Sequence, residues 1–428
     1  MQAADVFTKL DIELRPDPSR TVIRPFSFEY PEAFSAGRPS RLEAVTHRIL
    51  SLDLAMRRRM FEKIRKPMHE RHRNADRVFL RRFDELQHLI PDANLEEYDK
   101  LLLGAYFSQE YAFESAALFN PSIARLPDPD PCEAGAVRFL LSLRGIGEGH
   151  ISSVTFRSGT WGPGDTLVID PASDQGIPPQ IERQDEGWVR LLCEDSRDVS
   201  ETVIFPILPS QRQGVEDLRM VNFTDHDGAQ SLIGTYTAFD GKEVRQELLR
   251  GVDLRTFQMR PLAGAMTGYK GMALFPRRIN GQFVMLGRQD NENIWLLRSD
   301  DLHTWETGTP IMAPKYPWEF VQIGNCGSPI ELEEGWLMFT HGVGMIRGYS
   351  IGATLLDKDD PSRVLARTAS PLLFPSAEQR GGYVPNVTYS CGGLVHERRV
   401  LLPYAIGDEH SAFAVASVDD LLSVMEPA

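Results

Sequence analysis

The stretch "GVEDLRMVNF" sets Glu216, Asp217 and Arg219 directly ahead of an apolar run. A carboxylate beside a guanidinium normally stays ionised, because the cation favours the charged form. To work as a general acid, Asp217 needs desolvation or a substrate hydroxyl as proton relay. An isolated Asp-Arg match is more often a surface pair, so the motif needs company. A basic set supplies it: Lys270 in "TGYKGMALFPRRING", Arg288 in "FVMLGRQD", and His341 with Tyr349 in "FTHGVGMIRGYSIG". Cationic and hydrogen-bonding groups that converge in a net-acidic chain describe an oxyanion site. A phosphate held there is a nucleophile without help from a base. One such lysine or arginine alone is usually surface, and only the convergence carries the reading. Arg347 is a further basic candidate, whereas Arg277 and Arg278 are expected on a solvent-facing turn.

Positioning these groups requires elements that end together. Five segments share one plan, an apolar strand that finishes in polar or charged residues. They are "FLLSLRG" (139–145), "LIGTYTAFD" (232–240), "FVMLGRQD" (283–290), "WLMFTHGV" (336–343) and "LLPYAIGD" (401–408). A second strand-like segment follows each, and three of these close in Gly-Thr-Trp, Asp-Leu-Arg-Thr-Phe or Asp-Leu-His-Thr-Trp. An aromatic after such a turn can pin one sheet against the next. Five recurrences over roughly 290 residues predict a mainly β chain, a five-bladed β-propeller with an N-terminal helical extension. The five segments are then the inner strands, and Arg144, Asp240, Arg288, Asp290, His341 and Asp408 share one axial funnel. A β-sandwich with solvated strand ends is the plainer alternative. Arg, His and Asp at equivalent strand ends favour the propeller.

Residues 1–117 read as an N-terminal segment and helical extension, and 118–428 as the catalytic propeller. Ile49, Leu52, Met56, Met60 and Ile64 recur at helical steps, and Pro67 is expected to break or kink that helix. A further helix is expected over about 94–118, N-capped by Asn94 with Glu96 and Glu97 in its first turn. Acids interrupt the arginines between Arg57 and Arg82. A solvated face, or one that joins subunits in a homo-oligomer, is therefore preferred to a nucleic-acid arm.

A hydrophobic fraction of 42% and a charged fraction of 25% are those of a globular protein. The formal charge of -14 argues against nucleic-acid partners. No apolar run has membrane-spanning length, and the N-terminus lacks a signal-peptide core. Cys132, Cys193, Cys326 and Cys391 are scattered, so reduced thiols in a cytoplasmic protein are expected, without membrane contact or structural zinc. His69 and His72 lie beside arginines, a poor setting for a cation. No nucleophile-elbow, P-loop or dinucleotide-binding glycine motif is present.

Seven stretches extend the pattern over about residues 118–420: "LFNPSI" (118–123), "EDLRM" (216–220), "ALFPRRINGQFVMLGRQD" (273–290), "SDDLHTW" (299–305), "WEFVQIGNCGSPIELEEGWLMFTHGV" (318–343), "YSIGATLLDKDDPSRVLART" (349–368) and "GGYVPNV" (381–387). Together, in this order, they resemble glycoside hydrolase family 130, the β-mannoside phosphorylases and related β-mannosidases. The resemblance implies a five-bladed propeller in which Asp217 is the acid, protonating the leaving oxygen through the mannosyl 3-hydroxyl. It implies that Asn120, Arg144 and Asp408 hold mannose, and that Lys270, Arg288, His341 and Tyr349 surround phosphate. Arg219 and Asp290 join the substrate-binding candidates, one beside the acid and one in the funnel. The implied reaction is inverting phosphorolysis of β-mannosides, β-1,2-linked or other short manno-oligosaccharides, to α-mannose 1-phosphate. Inorganic phosphate is the co-substrate, with no cofactor and no metal.

Two positions depart from the family pattern. Gln322 stands where phosphorylases usually carry lysine before Ile-Gly, which removes one phosphate-binding charge that Arg347 is a candidate to replace. Leu218 stands where many members have proline. An inverting hydrolase needs a base, its carboxyl roughly 6.5–9.5 Å from that of the acid. No glutamate replaces Lys270, Arg288 or His341, so phosphorolysis leads. The alternatives are an inverting β-mannosidase with Glu148 as base, and a glycan-binding propeller without turnover.

Overall fold

The computed structural model describes residues 5–26, 28–30, 32–90, 95–126, 132–184, 187–377, 379 and 381–428. It divides into two compact units: Ser19–Phe113 with Asp174–Pro178, and the residues up to Pro18 with Glu114–Ser173 and Pro179–Ala428.

Among the described residues the first unit holds four α-helices, α1 (Arg41–Leu50), α2 (Leu54–Arg71), α3 (Ala75–Leu86) and α4 (Glu97–Tyr106). Ser40 and Glu43 form a capping box on α1, and the Asp53 carboxylate accepts from the Met56 amide to start α2. That second cap resets the helical phase. Ile49 is buried, but Leu52, Met56 and Ile64 are exposed and α2 buries Phe61 instead, so the expected stripe does not continue. Phe61 packs edge-on against Phe79 and Tyr98. Pro67 does not end α2 either. Ion pairs Arg57–Asp99 (2.7 Å) and Arg65–Asp76 (2.9 Å) anchor the helix ahead of it, offsetting the backbone hydrogen bond that proline removes. α4 is shorter than expected. Glu96 caps it, Asn94 lies outside the described residues, and Ser108–Ala112 leaves the helix to pair with Thr21–Pro25. Gly104 lets α4 approach α3, since a Cβ there would stand 1.9 Å from the Phe79 carbonyl oxygen.

The second unit is mainly β, built as five antiparallel groups. The first runs Ala117–Arg125, Val137–Ile146, Ser152–Trp161. The second begins Gly214–Thr224, Gln230–Phe239, Val244–Gly251, Thr256–Pro261. One parallel bridge, Gly214 to Ser152, joins these two into a continuous eleven-stranded sheet. The third is Lys270–Leu274, Phe283–Arg288, Ile294–Ser299, Gly308–Met312. The fourth begins Gln322–Asn325, Trp336–Val343, Tyr349–Leu356, and the fifth runs Thr388–Tyr389, Arg399–Ile406, His410–Ser417, Thr8–Leu14. The residues up to Pro18 thus belong to the β unit, although the sequence reading grouped 1–117 together. The five repeated segments also shift outward by one place. Each is the second strand of its group, and a further strand precedes it, shorter in four of the five.

Apolar clusters join each sheet to the next. Trp161 packs with Leu401 and Phe413 of the fifth sheet, Phe257 with Phe156 of the first, and Trp305 with Val221 and Phe223 of the second. These are the three punctuating aromatics of the repeat, each seated on another sheet. Trp336 and Met338 pack on Phe275 and Val284 of the third sheet, and Leu402 packs on Leu337 and Phe339 of the fourth.

Polar groups tie the first strands. Arg219, 4% exposed, donates through Nη1 to the carbonyls of Asn325 (2.8 Å) and Gly271 (3.4 Å), and through Nη2 to the Tyr389 hydroxyl (2.6 Å). One side chain of the second sheet therefore reaches the third, fourth and fifth. Arg219→Met should lower unfolding free energy by about 3 kcal/mol, because it strips buried acceptors of a charged donor. Urea denaturation would read this as a lower midpoint at unchanged slope. A midpoint equal to the parent's would make the tie energetically idle.

Candidate active site

Three of the first strands carry the same irregularity. Pairing slips between Phe119 and Ser122, between Glu216 and Arg219, and between Lys270 and Ala273, so two residues oppose one each time. These are β-bulges, which re-aim side chains at sheet edges. Asn120 (φ 49°), Asp217 (φ 54°) and Gly271 (φ 89°) occupy the equivalent left-handed position. Asn and Asp tolerate that conformation better than other side chains. In the first two sheets the bulges bring an amide and a carboxylate together: Asn120 Nδ2 donates to Asp217 Oδ1 at 2.7 Å.

Arg144 completes this side of the site. Its Nη1 donates to Asp217 Oδ1 at 3.3 Å and its Nη2 to Glu216 Oε1 at 2.8 Å. Its Nε donates to Ser152 Oγ at 2.8 Å, and that hydroxyl donates to the Val215 carbonyl, which fixes the guanidinium plane. The Phe119 ring lies against its face, 5.2 Å from the centroid. Burial pushes the Asp217 carboxyl up, but Arg144, Asn120, Lys270 and Arg219 outweigh it and hold it below the usual carboxylate range. Asp408 goes the other way. Burial and then the Asp217 charge push it up to about 6, with Arg144 and Arg347 opposing. Two carboxyls in one site are thereby driven apart.

The basic side is built on the third and fourth sheets. Lys270 and Arg288 are paired residues on adjacent strands, and Lys270 Nζ donates to Glu216 Oε2 at 3.0 Å. Arg288 Nη1 lies 3.0 Å from His341 Nε2. A guanidinium can only donate, so Nε2 accepts and the imidazole proton sits on Nδ1. Burial, Arg288 and Arg219 hold the His341 pKa well below its ordinary value, so the ring is neutral. Tyr349 stacks on His341 at 5.9 Å, and the Arg347 guanidinium lies 5.5 Å from the Tyr349 centroid. With its amide oxygen turned to Arg288, Gln322 accepts from Nε at 3.1 Å and from Nη1.

Some expected residues do other work. Both oxygens of Asp290 close its own turn, accepting from the Glu292 and Asn293 amides and from Asn293 Nδ2, which helps to hold its pKa at about 2 against burial. Asp240 likewise accepts from the Lys242 and Glu243 amides. Charges at those two strand ends are turn formers, and neither is bonded to the cluster. Arg219 lies beneath the site with its donors spent on the sheets. Glu148 is exposed on the loop after Val137–Ile146. Arg277 and Arg278 pair with Glu331 and Asp225. Sequence reasoning named Glu216 but gave it no place, and it did not find Ser152 or Tyr389. Only the residue next to Asp217 offered a signal.

The raised Asp408 pKa makes a stability prediction. Asp408, raised in the fold, adds stability that is complete below the ordinary carboxyl pKa of about 4 and is lost as pH rises through about 6. Asp408→Asn cannot ionise, so its urea midpoint should rise relative to the parent's between about pH 5 and pH 7.5. A difference independent of pH would show that Asp408 titrates as an ordinary carboxyl.

Comparison with known proteins adds the lineage. A family model for glycoside hydrolase family 130, described as beta-1,4-mannooligosaccharide phosphorylase, matches residues 186–427. The 1,2-beta-oligomannan phosphorylase of Thermoanaerobacter sp. (strain X514) is 38% identical over 154 residues, 36% of this chain and 52% of that protein. The same organism's beta-1,2-mannobiose phosphorylase is 35% identical over 213 residues, 49% of this chain and 68% of that protein. The chain thus spans about half the length of the first relative and two thirds of the second. The beta-1,2-mannobiose phosphorylase of Listeria innocua, solved with beta-1,2-mannobiose, shares the fold at 19% identity and a TM-score of 0.52, over 73% of this chain and 92% of that one. With the family model covering more than half of its length, the chain belongs to glycoside hydrolase family 130.

Proposed function

We propose that this protein is an inverting β-mannoside phosphorylase acting on β-1,2-linked or other short manno-oligosaccharides. The observation that carries the reading is an oxyanion pocket formed by Lys270, Arg288 and a neutral His341 beside an ionised Asp217. Asn120, Arg144 and Asp408 hold the mannosyl residue. Asn120 Oδ1 is buried and accepts no hydrogen bond among the described residues, so a sugar hydroxyl would supply its donor. Lys270 and Arg288 bind phosphate by charge, His341 orients Arg288 beside it, and Tyr349 gives a hydrogen bond and shape. Before sugar binds, Asp217 is ionised and lacks the proton it must deliver. Sugar binding expels water and engages Asn120 and Arg144, which raises the Asp217 pKa. The proton then passes through the mannosyl 3-hydroxyl to the leaving oxygen. Phosphate attacks the opposite face and α-mannose 1-phosphate leaves. The relatives named for β-1,2- and β-1,4-mannoside phosphorolysis support this substrate class.

We also read the five sheets as blades of a five-bladed propeller, supported by apolar clusters that link each sheet to the next and the fifth to the first. No cofactor is invoked, and inorganic phosphate is the co-substrate. No described helix is long and apolar enough to cross a membrane. Cytoplasmic residence is proposed from the buried free thiols Cys193, Cys326 and Cys391. The exposed Phe26, Leu52, Met56 and Ile64 support a homo-oligomeric contact on the helical unit.

One observation favours an inverting hydrolase as second reading: Gln322 occupies Arg288 where the family pattern has a further cation. Product analysis on β-1,2-mannobiose decides. Mannose 1-phosphate formed only with phosphate is expected, and free mannose at equal rates with and without phosphate would overturn the proposal. Asp217→Asn should lower kcat about a thousandfold without unfolding. Lys270→Ala or Arg288→Ala should raise KM for phosphate far more than KM for the sugar, and equal rises would make those residues structural.

A further inference from the structure

Glu216 joins the two halves of the pocket. One carboxylate oxygen accepts from Arg144 at 2.8 Å and the other from Lys270 at 3.0 Å, with the side chain 14% exposed. Arg144 is also a partner of Asp217, and Lys270 stands opposite Arg288. The strand fixes Glu216 at the last regular pair before the bulge, across from Thr237. With both oxygens engaged by cations, Glu216 is poorly suited to move a proton. Its charge also works against any anion in the pocket, because it neutralises Lys270 and adds a negative charge nearby. A carboxylate there weakens phosphate binding, so its contribution must lie in geometry.

We propose that Glu216 is a positioning residue that weakens phosphate binding while aligning Arg144 on Asp217 and holding Lys270 at the junction of the sugar and phosphate sites. The proposal rests on the phosphorylase reading. No bond forms or breaks at Glu216. When phosphate enters, Lys270 exchanges part of its contact with Glu216 for phosphate oxygens, while Arg144 stays clamped by Glu216 and Ser152.

The test compares the parent with Glu216→Gln and Glu216→Asp. Inorganic phosphate binding is measured by equilibrium dialysis without sugar, and kcat by phosphorolysis of β-1,2-mannobiose. Glu216→Gln should bind phosphate about two- to fivefold tighter, the scale of one partly exposed ion pair. Its kcat should fall about tenfold or more, as expected when a catalytic group loses alignment. Glu216→Asp keeps the charge but is too short to span both cations. It should bind phosphate like the parent and still lose kcat. Weaker phosphate binding in Glu216→Gln, or parent-like kcat in either variant, overturns the proposal. Should Glu216→Gln fail to fold, as judged by circular dichroism, Glu216→Asp carries the test alone. The two readings separate cleanly. A parent that releases mannose regardless of phosphate sinks the phosphorylase, whereas a phosphorolytic parent with unaffected variants sinks only the role of Glu216.

Discussion

Arg219 is a cation that no physiological pH can discharge, buried where four sheets begin. Taking such a charge out of water costs several kcal/mol unless its donors are satisfied. Here the acceptors are two backbone carbonyls and a tyrosine hydroxyl from three other sheets. The sheets cannot drift apart without uncovering the charge, so the electrostatic demand of one side chain becomes a constraint on their assembly. Tyr389 extends that constraint into the site, since its ring packs edge-on against His341 at 4.9 Å. His341 in turn orients Arg288. The basic side of the pocket is therefore fixed from below.

The carboxylate side depends on backbone geometry. A bulge places Asp217 in a conformation that costs on the order of 1 kcal/mol for most residues, and the neighbouring bulge does the same for Asn120. The return is a hydrogen bond between residues of two sheets, with Arg144 clamping the same oxygen. Pro121 sits in the first bulge, one of the few places in a sheet that accept proline. Charges are then sorted by environment. Cations keep Asp217 ionised, burial pushes the Asp408 pKa up to about 6, and burial beside two arginines keeps His341 neutral. A chain of net charge -14 thus keeps a locally cationic pocket without placing a third positive charge between Arg288 and Arg219.

Several elements were legible because their signals are local. Long apolar strands, the punctuating aromatics and the grouping of Lys270, Arg288, His341 and Tyr349 follow from pattern and residue type. The misreadings share a cause as well. Asp240 and Asp290 stand where a funnel residue would stand, but an aspartate at a strand end equally satisfies the amides of its own turn. Two of the first strands were passed over because they are short, two residues at Thr388–Tyr389 and four at Gln322–Asn325, too few to show a period. The stripe through Leu52, Met56 and Ile64 failed because a cap at Asp53 starts a new helix in a new phase.

The sequence by itself determined a mainly β chain with a helical segment, a repeated strand plan, and the inventory of a carboxylate, a strand-end arginine and a basic cluster. Those are properties of neighbouring residues, and short-range sterics and burial write them into the order of the chain. Tertiary structure alone decided that Asn120 meets Asp217 across 97 residues, that Arg219 serves the sheets, and that Glu216 bridges Arg144 to Lys270. Each of those contacts joins strands of different sheets, and its register is set by bulges and packing that no local pattern encodes.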